Sequence, residues 1–135
     1  MSKRIAINGF GRIGRLAFRN LLKNENLEVV AINDLTDPNI LAHLLKYDSA
    51  QGAFDGTVEV NDKGFLINGK QINVSSIRNP EELPWKELGV DIVLECTGIF
   101  RTNEAASKHI TAGAQKVIIS APAKGDDVQT IVLGI

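Results

Sequence analysis

The chain has one cysteine, Cys96, in 135 residues, so no internal disulfide can staple its fold. It has no uninterrupted apolar run of about 18 residues, which excludes a membrane-spanning helix. Neither sign of charge dominates. Fifteen Lys and Arg stand against sixteen Asp and Glu, for a net charge of −1, and no general attraction to nucleic acid or to an anionic membrane follows. The start, Met1-Ser2-Lys3-Arg4 and then a short strand-like run, lacks the longer apolar stretch of a signal peptide. A cytosolic protein is the expectation. One cysteine and two histidines, His43 and His109, lie scattered along the chain and make no metal-binding set. There is no repeat at a solenoid period and no low-complexity segment. What remains, 44% apolar and 23% charged residues, is ordinary for one globular domain that can bury a core.

What is present centres on residues 3–15. Ile5-Ala6-Ile7 is an apolar run short enough to be a buried strand. Gly9, Gly11 and Gly14 follow in the spacing G-x-G-x-x-G. Ile13, Leu16, Ala17 and Leu21 then recur at helical offsets. Strand, glycine turn and helix together form the context a dinucleotide fingerprint requires. Gly9 would let the chain turn off the strand, Gly11 would let a pyrophosphate approach the backbone, and Gly14 would let the helix pack close to the strand. Unpaired N–H groups at the helix start suit phosphate. A tight turn with no ligand would use the same residues, so a second feature is needed. The apolar run 27–32 reads as a second strand ending at Asn33-Asp34, and Asp34 lies about 20 residues after Gly14, where an acid accepts from the adenosine ribose. Asp37-Pro38 already supplies a cap and first-turn proline for the next helix, which leaves Asp34 free for that role.

Further along, Ile40, Leu41, Leu44 and Leu45 mark one side of a second helix. Residues 57–60, 65–67 and 71–74 read as three short strands, the last pair joined by Asn68-Gly69, a two-residue hairpin signal. They form an antiparallel meander inserted between parallel-sheet units. A single helical turn reaches toward Leu88. Residues 90–94 read as a buried strand, 104–112 as a helix capped by Asn103 and closed by Gly113, and 116–119 as a further strand. The apolar run 128–135 ends the sequence. The alternation gives an α/β fold, a doubly wound parallel sheet of Rossmann type with that small meander. An apolar strand is an awkward place for a natural chain to stop, so residues 1–135 are expected to be the dinucleotide-binding domain of a longer protein.

Five motifs in order carry a resemblance along the whole chain. They are Ile7-Asn8-Gly9-Phe10-Gly11-Arg12-Ile13-Gly14-Arg15, Asn33-Asp34, Lys46-Tyr47-Asp48-Ser49, Glu95-Cys96-Thr97-Gly98-Ile99-Phe100, and Lys116-Val117-Ile118-Ile119-Ser120-Ala121-Pro122-Ala123-Lys124. The chain resembles the N-terminal, coenzyme-binding part of the phosphorylating glyceraldehyde-3-phosphate dehydrogenases. That resemblance implies an NAD-dependent glycolytic enzyme of the cytoplasm. It would oxidise glyceraldehyde 3-phosphate, with phosphate, to 1,3-bisphosphoglycerate through a cysteine thioester, as a homotetramer. It further implies that Arg12 and Ile13 meet the pyrophosphate through backbone N–H groups, that Asp34 holds the ribose, and that Arg78 lies by the adenine. Thr97, Gly98, Phe100 and Ser120 would line the cleft toward the nicotinamide. Gly9, Asp34, Thr97 and Ser120 all follow expected strands, as ligands beyond the carboxyl ends of a parallel sheet require. The nucleophilic cysteine and its histidine partner would belong to a segment after Ile135, so no residue here is assigned a catalytic role.

Erythrose-4-phosphate dehydrogenase shares several of these motifs and stays open as an alternative. So does a non-catalytic NAD-sensing module, although no appended DNA- or partner-binding element is visible. A methyltransferase also uses a glycine-rich turn followed by an acid, but the Ser120-Ala121-Pro122 segment and the Asn-Gly hairpin lend it no support. Cys96 reads as a small residue at the end of a buried strand rather than as a nucleophile. His43 and His109 read as solvent-facing or interface residues rather than bases. Arg12 and Arg15 could form a small anion patch, with a solvated helix face explaining Arg15 equally well.

Overall fold

The computed structural model describes residues 3–24, 26–47, 56–96, 103–123 and 126–133. Its strands are β1 (Lys3–Asn8), β2 (Leu27–Asn33), β3 (Val58–Asn61), β4 (Gly64–Ile67), β5 (Lys70–Ser75), β6 (Ile92–Glu95), β7 (Lys116–Ala123) and β8 (Asp126–Leu133). The helices are α1 (Arg12–Leu21), α2 (Pro38–Tyr47) and α3 (Asn103–Thr111), with a short 3₁₀ turn at Pro80–Glu82. All eight strands join one sheet in the order β3-β4-β5-β2-β1-β6-β7-β8. The central five, β5-β2-β1-β6-β7, are parallel to their neighbours. Taken in chain order, these five have the arrangement 3-2-1-4-5 of a doubly wound dinucleotide-binding sheet.

Alternation along β1 splits the core in two. Ile5 and Ile7 face α1 and α2, in a cluster with Phe10, Phe18, Leu41, Leu45 and Phe65. Ala6 faces the other way, onto Trp85, Val90, Val93, Ala112 and Val117. Phe10 and Phe18 meet edge to face with centroids 5.6 Å apart. A one-residue irregularity between β1 and β2, where Ile5 pairs Val29 but Ala6 pairs Ala31, sets Asn8 level with Asn33.

Four expectations change. The meander is not a separate insert: β5 pairs antiparallel with β4 and parallel with β2, so its last strand is also a main-sheet strand. The Asn68-Gly69 turn forms as expected, with φ of 51° and 83°, the doubly positive pair of a hairpin turn. At the opposite edge β8 runs antiparallel to β7, because two residues between Ala123 and Asp126 are far too few for a parallel crossover. The apolar stripes of the helices are also redrawn. In α1 the buried residues are Gly14, Arg15 and Phe18, while Leu16 is 41% exposed and faces a groove lined by Ile13, Ala17, Leu21, Leu27 and Leu94. In α2 Leu41, Ala42 and Leu45 are buried, and Ile40 and Leu44 are exposed. Among the described residues no helix is long and apolar enough to cross a membrane.

Candidate functional site

The carboxyl ends of β1 and β2 define the site. β1 stops at Asn8, and Gly9 turns the chain with φ 96°, a left-handed conformation that a side chain would strain. The Gly9 N–H donates to the Asn33 carbonyl at 2.8 Å, so the turn is tied to the end of β2. Gly11 then serves as N-cap of α1 with ordinary extended geometry, and no side chain caps this helix end. A Cβ on Gly11 would meet nothing within 4 Å. The space over the turn is open, with room for a group to approach the backbone. Gly14 is the opposite case. A Cβ there would run into the Gly9 carbonyl oxygen and lie 3.4 Å from Ile7 Cγ2, so the missing side chain is what seats α1 against β1. Gly9 and Gly14 thus act as the spacing implied, one in the turn and one in the helix seating, and Gly11 leaves open space above the backbone.

The first helical N–H groups, on Arg12 and Ile13, precede the first intrahelical bond, which Arg15 N–H makes to the Gly11 carbonyl at 2.9 Å. α1 carries no acid in its first turn. Uncapped amides, the helix dipole and the exposed side chain of Arg12 together make a site for an anion. Arg15 is different: it is 8% exposed, and its Nη1 donates to the Phe10 carbonyl at 3.1 Å. This corrects the solvated helix face and removes Arg15 from an anion patch with Arg12. It braces the turn from beneath.

Asp34 follows directly after β2. It is half-buried, and both of its carboxylate oxygens already have backbone partners. Its Oδ2 accepts from the Phe10 N–H at 2.7 Å, and its Oδ1 accepts from the Thr36 N–H at 2.9 Å. The carboxylate therefore bridges the glycine turn and the end of β2, at the edge of the open space. Each oxygen has a second lone pair for a sugar hydroxyl. Asp37 does cap α2, its Oδ1 accepting from Asn39 N–H at 2.7 Å.

Arg78 is exposed in the segment after β5. Its neighbour Ile77 is held to β2 by two bonds to the Asn33 side chain, one at each end of the amide, both 2.9 Å. Arg78 is thus kept beside the Asp34 end of the site. Thr97, Gly98 and Phe100, with Asp48 and Ser49, lie outside the described residues. Ser120 does not follow its strand, as expected; it lies inside β7, paired with Gln129 of β8, because the hairpin extends that strand to Ala123. Since Glu95 pairs Ile119, Ser120 still stands one step past the end of β6.

Beneath the site lies a set of polar residues that the sequence reading missed or misplaced. His109 is 0% exposed, correcting its expected place at solvent or an interface, whereas His43 is exposed. The His109 ring bonds Trp85 Nε1 at 2.9 Å and Glu95 Oε1 at 2.7 Å. Glu95 is 1% exposed and also accepts from Asn8 Nδ2 at 2.6 Å. Asn8, Asn33 and Glu95 each end an apolar strand run, a pattern that could have been read in the sequence. Cys96 is next in the chain, its N–H donating to the Asn8 carbonyl at 2.7 Å. Burial first, and then the Glu95 carboxylate, push its thiol from 9.0 up to about 12. That is the reverse of an activated nucleophile.

A family model described as glyceraldehyde 3-phosphate dehydrogenase, NAD binding domain, matches residues 3–103. Curated relatives carry the name glyceraldehyde-3-phosphate dehydrogenase. That of Clostridium pasteurianum is 59% identical over 132 residues, covering 98% of this chain and 39% of the relative. That of Geobacillus stearothermophilus is 59% identical over 135 residues, covering 100% of this chain and 40% of the relative. That of Streptococcus pyogenes is 60% identical over 133 residues, covering 98% and 39%. The chain therefore spans about two fifths of the length of the relatives it matches.

Proposed function

This chain belongs to the family of glyceraldehyde 3-phosphate dehydrogenase NAD-binding domains, and from that premise we propose that it serves as the coenzyme half of a phosphorylating aldehyde dehydrogenase. The observation that carries the reading is the open, uncapped start of α1 facing Asp34 across the glycine turn. The N–H groups of Arg12 and Ile13, beside Gly9 and Gly11, would hold the pyrophosphate of NAD. Asp34 would accept from the adenosine ribose, and Arg78 would flank the adenine. By the family resemblance, Thr97, Gly98, Phe100 and Ser120 would line the cleft toward the nicotinamide. The chain contributes binding and orientation, which hold the nicotinamide in reach of an aldehyde. NAD supplies the hydride acceptor when bound.

The thioester step needs a positioned thiolate beside a base. Cys96, half-buried and with its thiol pushed up to about 12, is not that group. Residues 1–135 are therefore the dinucleotide-binding domain, and the nucleophile comes from a following catalytic domain. The complete protein acts on glyceraldehyde 3-phosphate and phosphate, in the cytoplasm, as a homotetramer. The test is NADH formation from glyceraldehyde 3-phosphate, phosphate and NAD by the full-length protein beside residues 1–135, with erythrose 4-phosphate as competing substrate. The full-length protein turns over and the isolated segment does not. Turnover by the segment that disappears in Cys96→Ser would overturn this division of labour.

A further inference from the structure

The registers of the central strands place four polar side chains in one row. Asn33 pairs Ser75, Asn8 pairs Asn33, and Asn8 pairs Glu95. Asn8, Asn33 and Glu95 share the sheet face of Ala6, Ala31 and Val93 by strand alternation, which is the face covered by Trp85. The row is bonded from end to end. Ser75 Oγ donates to Asn33 Oδ1 at 2.8 Å, and Asn33 Nδ2 donates to Asn8 Oδ1 at 2.8 Å. Asn8 Nδ2 donates to Glu95 Oε1, which also meets His109 Nε2, and Trp85 Nε1 donates to His109 Nδ1.

The direction of every bond is fixed by groups that can only donate. The Ile77 backbone N–H bonds Asn33 Oδ1, so the Asn33 amide presents its nitrogen to Asn8. Asn8 must then present its own nitrogen to Glu95. At the other end the indole N–H of Trp85 only donates, so His109 Nδ1 accepts. The ring hydrogen therefore sits on Nε2 and points at Glu95. Both arms run toward a single carboxylate oxygen. In a chain of this kind each bond polarises the next, in surroundings of low dielectric.

The residue after each strand end in this row is one assigned to the coenzyme cleft or leads directly to it. Gly9 follows Asn8, Asp34 follows Asn33, and Cys96-Thr97-Gly98 follow Glu95. Ser75 and Ile77 hold the segment that carries Arg78. Resting on the NAD-binding reading, we infer that this buried chain, from Trp85 and His109 through Glu95, Asn8 and Asn33 to Ser75, is a positioning device for NAD. None of its side chains needs to touch the coenzyme. It fixes how far apart, and at what level, the ends of β5, β2, β1 and β6 stand, and so sets the distance between the pyrophosphate turn and the nicotinamide side of the cleft. Hydrophobic residues would fill the same volume but would leave strand-end register to backbone pairing alone.

The experiment is calorimetric titration of NAD into the full-length protein and its variants, at a temperature where circular dichroism shows each one folded. His109→Leu removes the Trp85–His109 arm from the Glu95 carboxylate, where the two arms meet, and should raise the dissociation constant about ten-fold, the scale of one hydrogen bond to a charged group. His109→Gln, which can accept from Trp85 and donate to Glu95, should recover most of that loss. Trp85→Phe removes only the terminal donor, keeps the buried ring, and should weaken NAD by about three-fold. In turnover, KM for NAD should rise while kcat at saturating NAD stays unchanged. If His109→Leu fails to fold, Trp85→Phe and Ser75→Ala decide. Folded variants that lose thermal stability but bind NAD as the unaltered protein does would overturn the inference. Failure of the unaltered protein to bind NAD would instead overturn the reading on which it rests.

Discussion

Gly11 and Gly14 stand three residues apart in one motif, and the structure predicts opposite consequences for filling them. At Gly11 an added Cβ meets nothing within 4 Å, and the backbone there is extended, with φ −76° and ψ −159°. Gly11→Val should lower the stability by no more than about 1 kcal/mol, the cost of a poor residue at the N-cap of α1. It should nonetheless abolish measurable NAD binding, because the branched side chain occupies the space the pyrophosphate must enter. At Gly14 the obstacle is the Gly9 carbonyl, with the Gly9 carbonyl carbon at 3.2 Å behind it. That carbonyl cannot swing away. Gly9 is fixed by its φ of 96° and by its N–H bond to the Asn33 carbonyl. Helix α1 must lift instead, which costs about 1–3 kcal/mol as overpacking. Lifting it also draws the Arg12 and Ile13 N–H groups off the phosphate. Gly14→Ala should therefore lose both stability and affinity. Urea unfolding and NAD titration on the two variants give four numbers. A Gly14→Ala protein with an unchanged midpoint would show that the close seating of the helix does not depend on the missing Cβ. Full NAD affinity in Gly11→Val would place the phosphates elsewhere.

Two further outcomes follow from the same geometry. Asp34→Asn leaves one acceptor where Phe10 N–H and Thr36 N–H now use two, so it should lower stability by roughly 1 kcal/mol and weaken NAD by about ten-fold; equal dissociation constants for NAD and NADP in the unaltered protein would refute the role of its charge at the ribose 2′-hydroxyl. Cys96, with its thiol pushed from 9.0 up to about 12, should resist iodoacetamide at pH 8 in the native protein. Because its folded pKa is raised, the stability it contributes is complete below pH 9 and lost between 9 and 12, so Cys96→Ala should flatten that part of an alkaline unfolding profile.

How much of this was readable beforehand depended on whether a feature is local. The strand, the glycine turn and the helix start are specified within twelve residues, and the structure returns them, with Gly9 in the turn and Gly14 at the helix–strand contact as expected. The Asn68-Gly69 hairpin is equally local. The contact face of α1 was misread because periodicity assigns the apolar stripe to the core, whereas here Gly14 against Gly9 fixes which side meets the sheet. That seating buries Phe18 and Arg15 and leaves Leu16 outside. Ser120 was misplaced because its strand length is set by its partner β8, and pairing cannot be read from one strand. The buried polar row was harder to read. Asn8, Asn33 and Glu95 each follow an apolar run, and a polar residue in that place reads as the first residue of a loop. Only strand register makes them neighbours, and register belongs to the sheet rather than to any segment. His109 was harder still, because nothing in α3 distinguishes a histidine facing Glu95 and Trp85 from one facing water. Its burial is a consequence of the acceptor at the end of β6 and of the indole donor after the 3₁₀ turn. A polar residue repeated at the ends of adjacent parallel strands should therefore be tested first as a cross-sheet chain, and only then as three separate caps.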